Sequence, residues 1–225
     1  MKIIGIDPAP AKGLSVFDGQ DRQIPLVEAR RFLAAIEGEP DLLLCWDSPL
    51  TGPPCVTLVG GEPEGSAFSQ RLIESFFSRV ETGFRTPDGI SVRPYSQCPH
   101  WAMSRSLIGL PRTGPYDAEF AALPFRLIHS NVLPTRGRYV AEVHPAVALW
   151  LWCRDARGED AHWKYKEDPA VLQEVWHCLL EIPIIAGVVN AAQAPDSDDE
   201  LDARLAYALG RLWIENTGLV ILQGD

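Results

Sequence analysis

The feature that most constrains the fold is a continuous apolar run over residues 41–46 (DLLLCW), which is closed by Asp47. Such a run, without polar alternation, is typical of a strand that is covered on both faces of a sheet. A second run, residues 2–7 (KIIGID), begins the sequence and also ends in an acid. Because strands of this kind alternate with amphipathic segments along the chain, the sequence predicts an α/β fold.

Local periodicity predicts the remaining elements. Short apolar runs and turn signals predict further strands over 13–17, 23–27, 138–143 and 219–222. Helical spacing of apolar side chains predicts helices over 28–37, 68–80, 101–107, 117–130, 146–153, 170–180 and 197–216. The segment 51–138 is rich in glycine and proline, and we interpret it as a long, loop-rich insert within a single domain that spans residues 1–225.

The charge distribution bears on the class of substrate. The net charge is -10, which argues against a protein that simply coats nucleic acid. The insert nevertheless holds nine arginines, no lysine and seven acids, so that it carries about +2 and the remainder about -12. A mildly basic insert beside an acidic centre is compatible with a phosphate-bearing substrate, although the same arginines can equally form solvated surface pairs.

The sequence predicts a cytoplasmic protein that does not associate with a membrane. Its first residues run directly into a strand, without the pattern of a signal peptide. No apolar run reaches the roughly 18 residues that a membrane span needs. Five cysteines without a repeating spacing are typical of reduced thiols.

Two aspartates stand at the ends of predicted strands. Asp7 ends the first predicted strand, and Asp47 directly follows the apolar run over residues 41–46. Ligand sites in open α/β sheets form beyond the carboxyl ends of strands, so both carboxylates are expected in one crevice. The alternative for each is an ordinary turn-forming aspartate.

The last predicted helix carries a third acidic feature. Ser197 and Glu200 form a capping box that sets the start of this helix. Asp202 falls within its apolar stripe, and Asp199 lies one turn earlier at the edge of that stripe. A carboxylate aimed into a core costs several kcal/mol unless it is paired or binds a cation. The opposite, solvent-facing side is predicted to hold Glu200, Arg204, Arg211 and Glu215.

Five further residues are candidates for substrate or metal contact. Glu142 ends a predicted strand and is interpreted as a further metal ligand or general base, with a surface or capping acid at a strand end as the alternative. Lys12 and Lys166 are candidates for binding a substrate phosphate, with solvated loop lysines as the alternative. Arg105 and Arg112 are the insert residues that we expect to wall the cleft.

Several short motifs carry a resemblance to a known family. They are IGID at residues 4–7, CWDSPL at 45–50, VAEVHP at 140–145, the pair Tyr165-Lys166, and DELDA at 199–203. With these motifs the chain resembles the uncharacterised DUF429 family, which is described as predicted nucleases with a ribonuclease H-like fold. The last motif is also similar to the D-x-x-D-A of Holliday-junction resolvases.

The resemblance implies a ribonuclease H-like mixed sheet flanked by helices, interrupted here by the insert. It implies that Asp7, Asp47 and Asp202, with or without Asp199, hold divalent metal. Hard cations such as Mg²⁺ or Mn²⁺ suit these oxygen ligands. The expected function is metal-dependent hydrolysis of phosphodiester bonds in a nucleic acid or nucleotide. Two alternatives remain open: a small-molecule phosphotransferase or nucleotide hydrolase of the same superfamily, and a non-catalytic binding protein.

Overall fold

The computed structural model describes residues 1–50, 58–59, 62–63, 100–108, 125–128, 135–157, 165–189 and 193–215. Its strands are β1 (Lys2–Ala9), β2 (Gly13–Phe17), β3 (Asp21–Ile24), β4 (Leu42–Trp46), β5 (Leu58–Val59), β6 (Glu62–Pro63), β7 (Arg126–Ile128) and β8 (Arg138–Glu142). Its helices are α1 (Leu26–Ile36), α2 (His100–Ile108), α3 (Pro145–Arg157), α4 (Pro169–Leu180), α5 (Pro183–Val189) and α6 (Asp198–Ile214).

Six of these strands form one mixed sheet in the order β3-β2-β1-β4-β8-β7. The first three strands are an antiparallel meander, whereas β4 is parallel to β1, and β8 is parallel to both β4 and β7. The buried apolar sequence of β4 is explained by its place between β1 and β8. The α/β class with a mixed sheet flanked by helices is therefore confirmed.

Helices cover the two faces of the sheet differently. One face packs on α1 and α2 through a cluster that includes Ile4, Ile6, Leu44 and Trp46. The other face packs on α6, which is itself covered by α3 and α5. Because α6 lies between the sheet and a further helical layer, most of its length is buried.

Two glycines let α6 lie unusually close to the sheet. A Cβ atom added to Gly5 on β1 would collide with the backbone of Ala203 and Tyr207 on α6. A Cβ added to Gly210 on α6 would collide with the Sγ atom of Cys45 on β4. The absence of a side chain at these positions sets the depth at which α6 meets β1.

Most predicted elements are confirmed, each beginning within about two residues of its predicted start. The strand predicted over 23–27 is wrong at residues 26–27, which begin α1, because β3 ends at Ile24. The helix predicted over 117–130 is wrong at residues 126–128, which form the edge strand β7. Pairing with β8 outweighs the helical spacing there. The short helix α5 was not predicted. The helix predicted over 68–80 and the strand over 219–222 lie outside the described residues.

The insert contributes directly to the core of the domain. Its segment Arg126–Ile128 extends the main sheet, and its helix α2 packs on α1 and β1. Trp46 of β4 donates a hydrogen bond to the buried Ser104 Oγ of α2 (2.9 Å). Within the described residues, segment 51–138 is therefore a structural part of the domain as well as a connection.

Arg204 was predicted on the exposed side of the last helix, and this prediction is wrong. Arg204 is buried and pairs with Asp21 at the start of β3. The helical period identifies one apolar stripe but does not show that a second layer covers the opposite side of the helix.

Of the helices that the structure describes, none is by itself long and apolar enough to cross a membrane. Taken together, α4 and α5 have the length and apolar composition of a membrane span, but a bend of 106° separates the two helices.

Candidate carboxylate centre

Three separate elements bring the predicted aspartates together. Alternation along β1 places Asp7 on the same face as Gly5, and Gly5 is in close contact with α6. The backbone N–H of Asp47 donates to Ile6 of β1 (2.8 Å), so Asp47 follows β4 directly beside the end of β1. Asp202 precedes Ala203, the α6 residue that contacts Gly5. These contacts gather the strand ends and the start of α6 at one edge of the sheet.

The start of α6 is held by the predicted cap. Ser197 is the N-cap residue, and its hydroxyl accepts a hydrogen bond from the N–H of Glu200 (3.2 Å). The carboxylate of Glu200 accepts from the N–H of Asp196 (2.8 Å). The capping box predicted from S-x-x-E is confirmed at its first hydrogen bond, whereas the return bond reaches one residue further back. This cap fixes the first turn, which carries Asp199.

The carboxylate of Asp7 is the electrostatic centre of the group. Partial burial, together with the negative charges of Asp47, Asp202 and Asp199, raises the pKa of Asp7 well above its usual range. Lys166 opposes this shift but does not cancel it. Like charges and desolvation both disfavour the ionised form of an acid, so Asp7 keeps its proton more readily than an exposed aspartate.

Asp202 is 1% exposed, and both of its oxygens are occupied. The hydroxyl of Tyr165 donates to Oδ1 (2.9 Å), and the ammonium of Lys166 donates to Oδ2 (2.6 Å). Burial is the main cause that raises the pKa of Tyr165, so the phenol stays a neutral donor. Burial opposes the charge of Lys166, but Asp202 and the neighbouring groups outweigh it and raise the pKa of this lysine.

Asp199 is paired with a second lysine. Lys12 lies in the turn between β1 and β2, and its ammonium donates to Asp199 Oδ2 (2.5 Å). This hydrogen bond is the main cause that raises the pKa of Lys12, whose side chain is 59% exposed. The neighbouring Asp198 has a raised pKa because it is partly buried and lies beside Asp199. Each acid of the D-x-x-D motif thus holds one lysine.

The predicted ligands are brought together as interacting charges. Among the residues that the structure describes, no three His, Cys, Asp or Glu side chains are arranged to hold a metal ion in this conformation. The ammonium of Lys166 and the phenol of Tyr165 take the two oxygens of Asp202, which leaves that carboxylate committed to protein donors. Lys12 and Lys166 were expected to bind a substrate phosphate. In the structure their ammonium groups contact Asp199 and Asp202.

Glu142 does not join this group. Its strand partner Trp46 faces α1 and α2, so in-register pairing puts Glu142 on the face opposite to Asp7. The carboxylate of Glu142 accepts a hydrogen bond from the N–H of Leu50 (2.9 Å). This bond serves the capping role that was the alternative prediction for Glu142.

The two candidate arginines are placed only in part. Arg105 belongs to α2, but the position of its side chain lies outside the described part of the chain. Arg112 lies outside the described residues altogether. Their expected contact with substrate stays a prediction.

Tyr165 is a site residue whose role was not predicted from the sequence. It appeared only as part of a resemblance motif, yet its buried hydroxyl orients Asp202 from 37 positions away in the chain. Its place directly before Lys166 was the one available signal. Comparisons of this chain with known protein families, curated proteins and solved structures found no match.

Proposed function

We propose that this protein is a metal-dependent hydrolase of phosphodiester bonds, a nuclease with a ribonuclease H-like fold of the kind that the DUF429 family represents. One observation carries the proposal: the contacts of β1 with the residue after β4 and with α6 put Asp7, Asp47 and Asp202 at the same end of the sheet. The mixed sheet and the place of β1 beside β4 support the fold assignment.

The chemistry of the donors supports a hard divalent cation. Asp7, Asp47, Asp199 and Asp202 offer only carboxylate oxygens, which Mg²⁺ and Mn²⁺ prefer. Lys12 pairs with Asp199 and Lys166 pairs with Asp202, so these lysines balance part of the negative charge of the site. Burial and the negative charges of Asp47, Asp202 and Asp199 raise the pKa of Asp7, and a divalent cation held at the site would oppose that shift.

In this proposal Asp7, Asp47 and Asp202 hold the metal, with Asp199 as a further ligand. A bound divalent ion supplies Lewis acidity and a water activated at neutral pH. Tyr165 keeps Asp202 in one orientation through its hydroxyl. Lys12, whose exposed side chain lies on the turn after β1, would attract a substrate phosphate to the site.

The test combines metal binding and cleavage. We expect millimolar Mn²⁺ to raise the melting temperature of the wild-type protein, because a ligand that binds only the folded state stabilises it by about 3 kcal/mol at one hundred times its Kd. Asp7→Asn and Asp202→Asn should lose this shift, together with Mn²⁺-dependent cleavage of single-stranded, duplex and branched DNA or RNA.

Asp18→Asn is the matched control. Asp18 follows the end of β2 that lies away from Asp7, and its carboxylate pairs with Arg22. This variant removes one negative charge and should keep both the shift and the cleavage. Cleavage of nucleotides or small phosphate esters alone would favour the small-molecule hydrolase. A shift that survives in Asp202→Asn would remove Asp202 from the ligand set.

A second candidate is a non-catalytic protein, and one observation favours it. Lys12 and Lys166 already neutralise Asp199 and Asp202 in the described conformation. In this candidate the two lysines are permanent structural partners. Absence of any Mn²⁺ effect on melting would support it against the nuclease proposal.

A further inference from the structure

We propose that Lys166 is a built-in counter-ion for Asp202 that a divalent cation displaces, so that metal binding and release of the Lys166 ammonium are one event. This inference rests on the proposed function and specifies how the site changes when it is loaded. It assigns Lys166 two successive partners: a carboxylate in the metal-free protein and a substrate phosphate in the loaded one.

The first argument is the asymmetry of the Lys166–Asp202 pair. Asp202 is 1% exposed, whereas the side chain of Lys166 is 52% exposed. The two groups meet at 2.6 Å, so the ammonium touches a buried oxygen although about half of the Lys166 side chain is exposed. A flexible stem of this kind can withdraw its charge into water without a change of the backbone.

The second argument is that the neighbours of Lys166 are fixed. Tyr165 is buried, and its hydroxyl holds the other oxygen of Asp202. On the other side, Asp168 is the N-cap of α4, and its carboxylate accepts from the N–H of Ala170 (2.8 Å). Displacement therefore needs only a rotation of the Lys166 side chain, while Tyr165 keeps Asp202 in place.

The third argument is electrostatic. A cation that contacts Asp202 Oδ2 would lie within a few ångströms of the ammonium of Lys166, where like charges repel strongly in a partly buried site. The same ammonium is attracted by Asp47 and Asp7, the other predicted ligands. Lys166 and a divalent cation are therefore alternative occupants of one position.

The consequence concerns substrate binding. Once displaced, the ammonium of Lys166 stays tethered at the site, close to the place where a phosphodiester would approach the metal. The protein then offers substrate a free cation only when metal is present. This order reconciles the predicted phosphate contact of Lys166 with its observed pairing to Asp202.

The first test measures lysine acetylation by a small reagent, read by mass spectrometry, with and without saturating Mn²⁺. We expect Lys166 to react several-fold faster with Mn²⁺, because its ammonium is freed from Asp202. Lys2 is the internal control: it forms an exposed pair with Glu39 at the opposite end of β1, and its rate should not change. An unchanged Lys166 rate in protein shown to bind Mn²⁺ would overturn the inference.

The second test measures Mn²⁺ affinity by calorimetry. Lys166→Met keeps the length of the stem and removes the competing charge. We therefore expect Mn²⁺ to bind about tenfold more tightly, because the cation no longer has to break a hydrogen bond to a charged group. Lys2→Met should bind as the wild type does.

The outcomes separate this inference from the proposed function. Equal or weaker Mn²⁺ binding by Lys166→Met, with normal binding by the wild type, overturns displacement and leaves the metal site standing. Absence of Mn²⁺ binding in both proteins overturns the proposed function, and displacement with it. The acetylation measurement uses the wild-type protein, so it decides the question even if the variant fails to fold.

Discussion

Two buried charges lie two positions apart on α6, and their surroundings differ. Arg204 is 3% exposed and makes a two-pronged contact with Asp21, with Nε to Oδ1 at 2.9 Å and Nη2 to Oδ2 at 2.7 Å. Its third nitrogen donates to the carbonyl of Gln193 (2.7 Å). The guanidinium also lies over the ring of Trp176, 4.9 Å from its centroid. Its charge is balanced and its nitrogens are used.

Asp202 is equally buried but lies among charges of its own sign. Its direct partners are a neutral phenol and a largely exposed lysine. Burial, together with the negative charges of Asp47, Asp202 and Asp199, raises the pKa of Asp7. The comparison teaches that burial alone does not identify a functional charge. The Arg204–Asp21 pair is a saturated contact that serves the structure, whereas Asp202 is held by a neutral phenol and by a lysine whose side chain is about half exposed.

The largest expected effect comes from a substitution that moves α6 and so disturbs the surroundings of both Arg204 and Asp202. Gly5→Ala should lower the free energy of unfolding by about 4 kcal/mol, above the usual 1–3 kcal/mol for overpacking, because the new methyl group meets the backbone of α6. Urea denaturation at neutral pH measures this loss. Gly187→Ala on the exposed side of α5 meets no atom within 4 Å and should be neutral or stabilising by up to about 1 kcal/mol. Equal effects of the two variants would contradict the close-packing argument.

A smaller effect is expected from a substitution that removes only the charge of Arg204. Arg204→Met keeps most of the buried stem but leaves Asp21 without its partner, and we expect a loss of about 3 kcal/mol in the free energy of unfolding. This is the lower end of the range for broken buried pairs, because Asp21 is 30% exposed and water can solvate it again. Mn²⁺ affinity, extrapolated to the folded protein, should stay unchanged. A variant as stable as the wild type would show that the pair contributes little.

The smallest effect has the opposite sign and concerns Asp7. Asp7→Asn should stabilise the metal-free protein by on the order of 1 kcal/mol at pH 7, because it removes a carboxylate whose ionisation the site disfavours. Denaturation of both proteins across pH 3 to 8 measures this difference.

The pH dependence follows from the raised pKa of Asp7. In the wild type, protonated Asp7 contributes stability fully below its unfolded pKa of about 3.9, and this contribution is lost as pH rises towards the higher pKa of the folded state. The advantage of Asp7→Asn should therefore be absent near pH 3 and grow as pH rises. A constant advantage at every pH would assign the effect to packing and not to charge.

The candidate site was predictable where local patterns define it. Asp7 and Asp47 follow short apolar strands, and Asp202 interrupts an apolar helical stripe after a recognisable cap. The structure gathers these acids around Asp7. Glu142 satisfied the same strand-end criterion but faces the other side of the sheet, since one residue of alternation separates the two faces.

The partners of these acids were not predictable in the same way. Lys12 reaches Asp199 across 187 positions, and Asp21 reaches Arg204 across 183. No period within a helix or strand records such contacts. The strand at Arg126–Ile128 was missed for the same reason, because its state depends on pairing with β8.

The sequence by itself determined the α/β class, most of the element starts and the identity of the clustered aspartates, because burial imposes periods of 2 and 3.6 residues on the side chains of strands and helices. Only the tertiary structure decided which charges are neutralised and by which residues. That outcome depends on the depth at which α6 meets β1, which Gly5 permits, and on long side chains from distant turns that converge there. Pairing between charges is a property of distance in space, which short-range patterns in a chain do not encode.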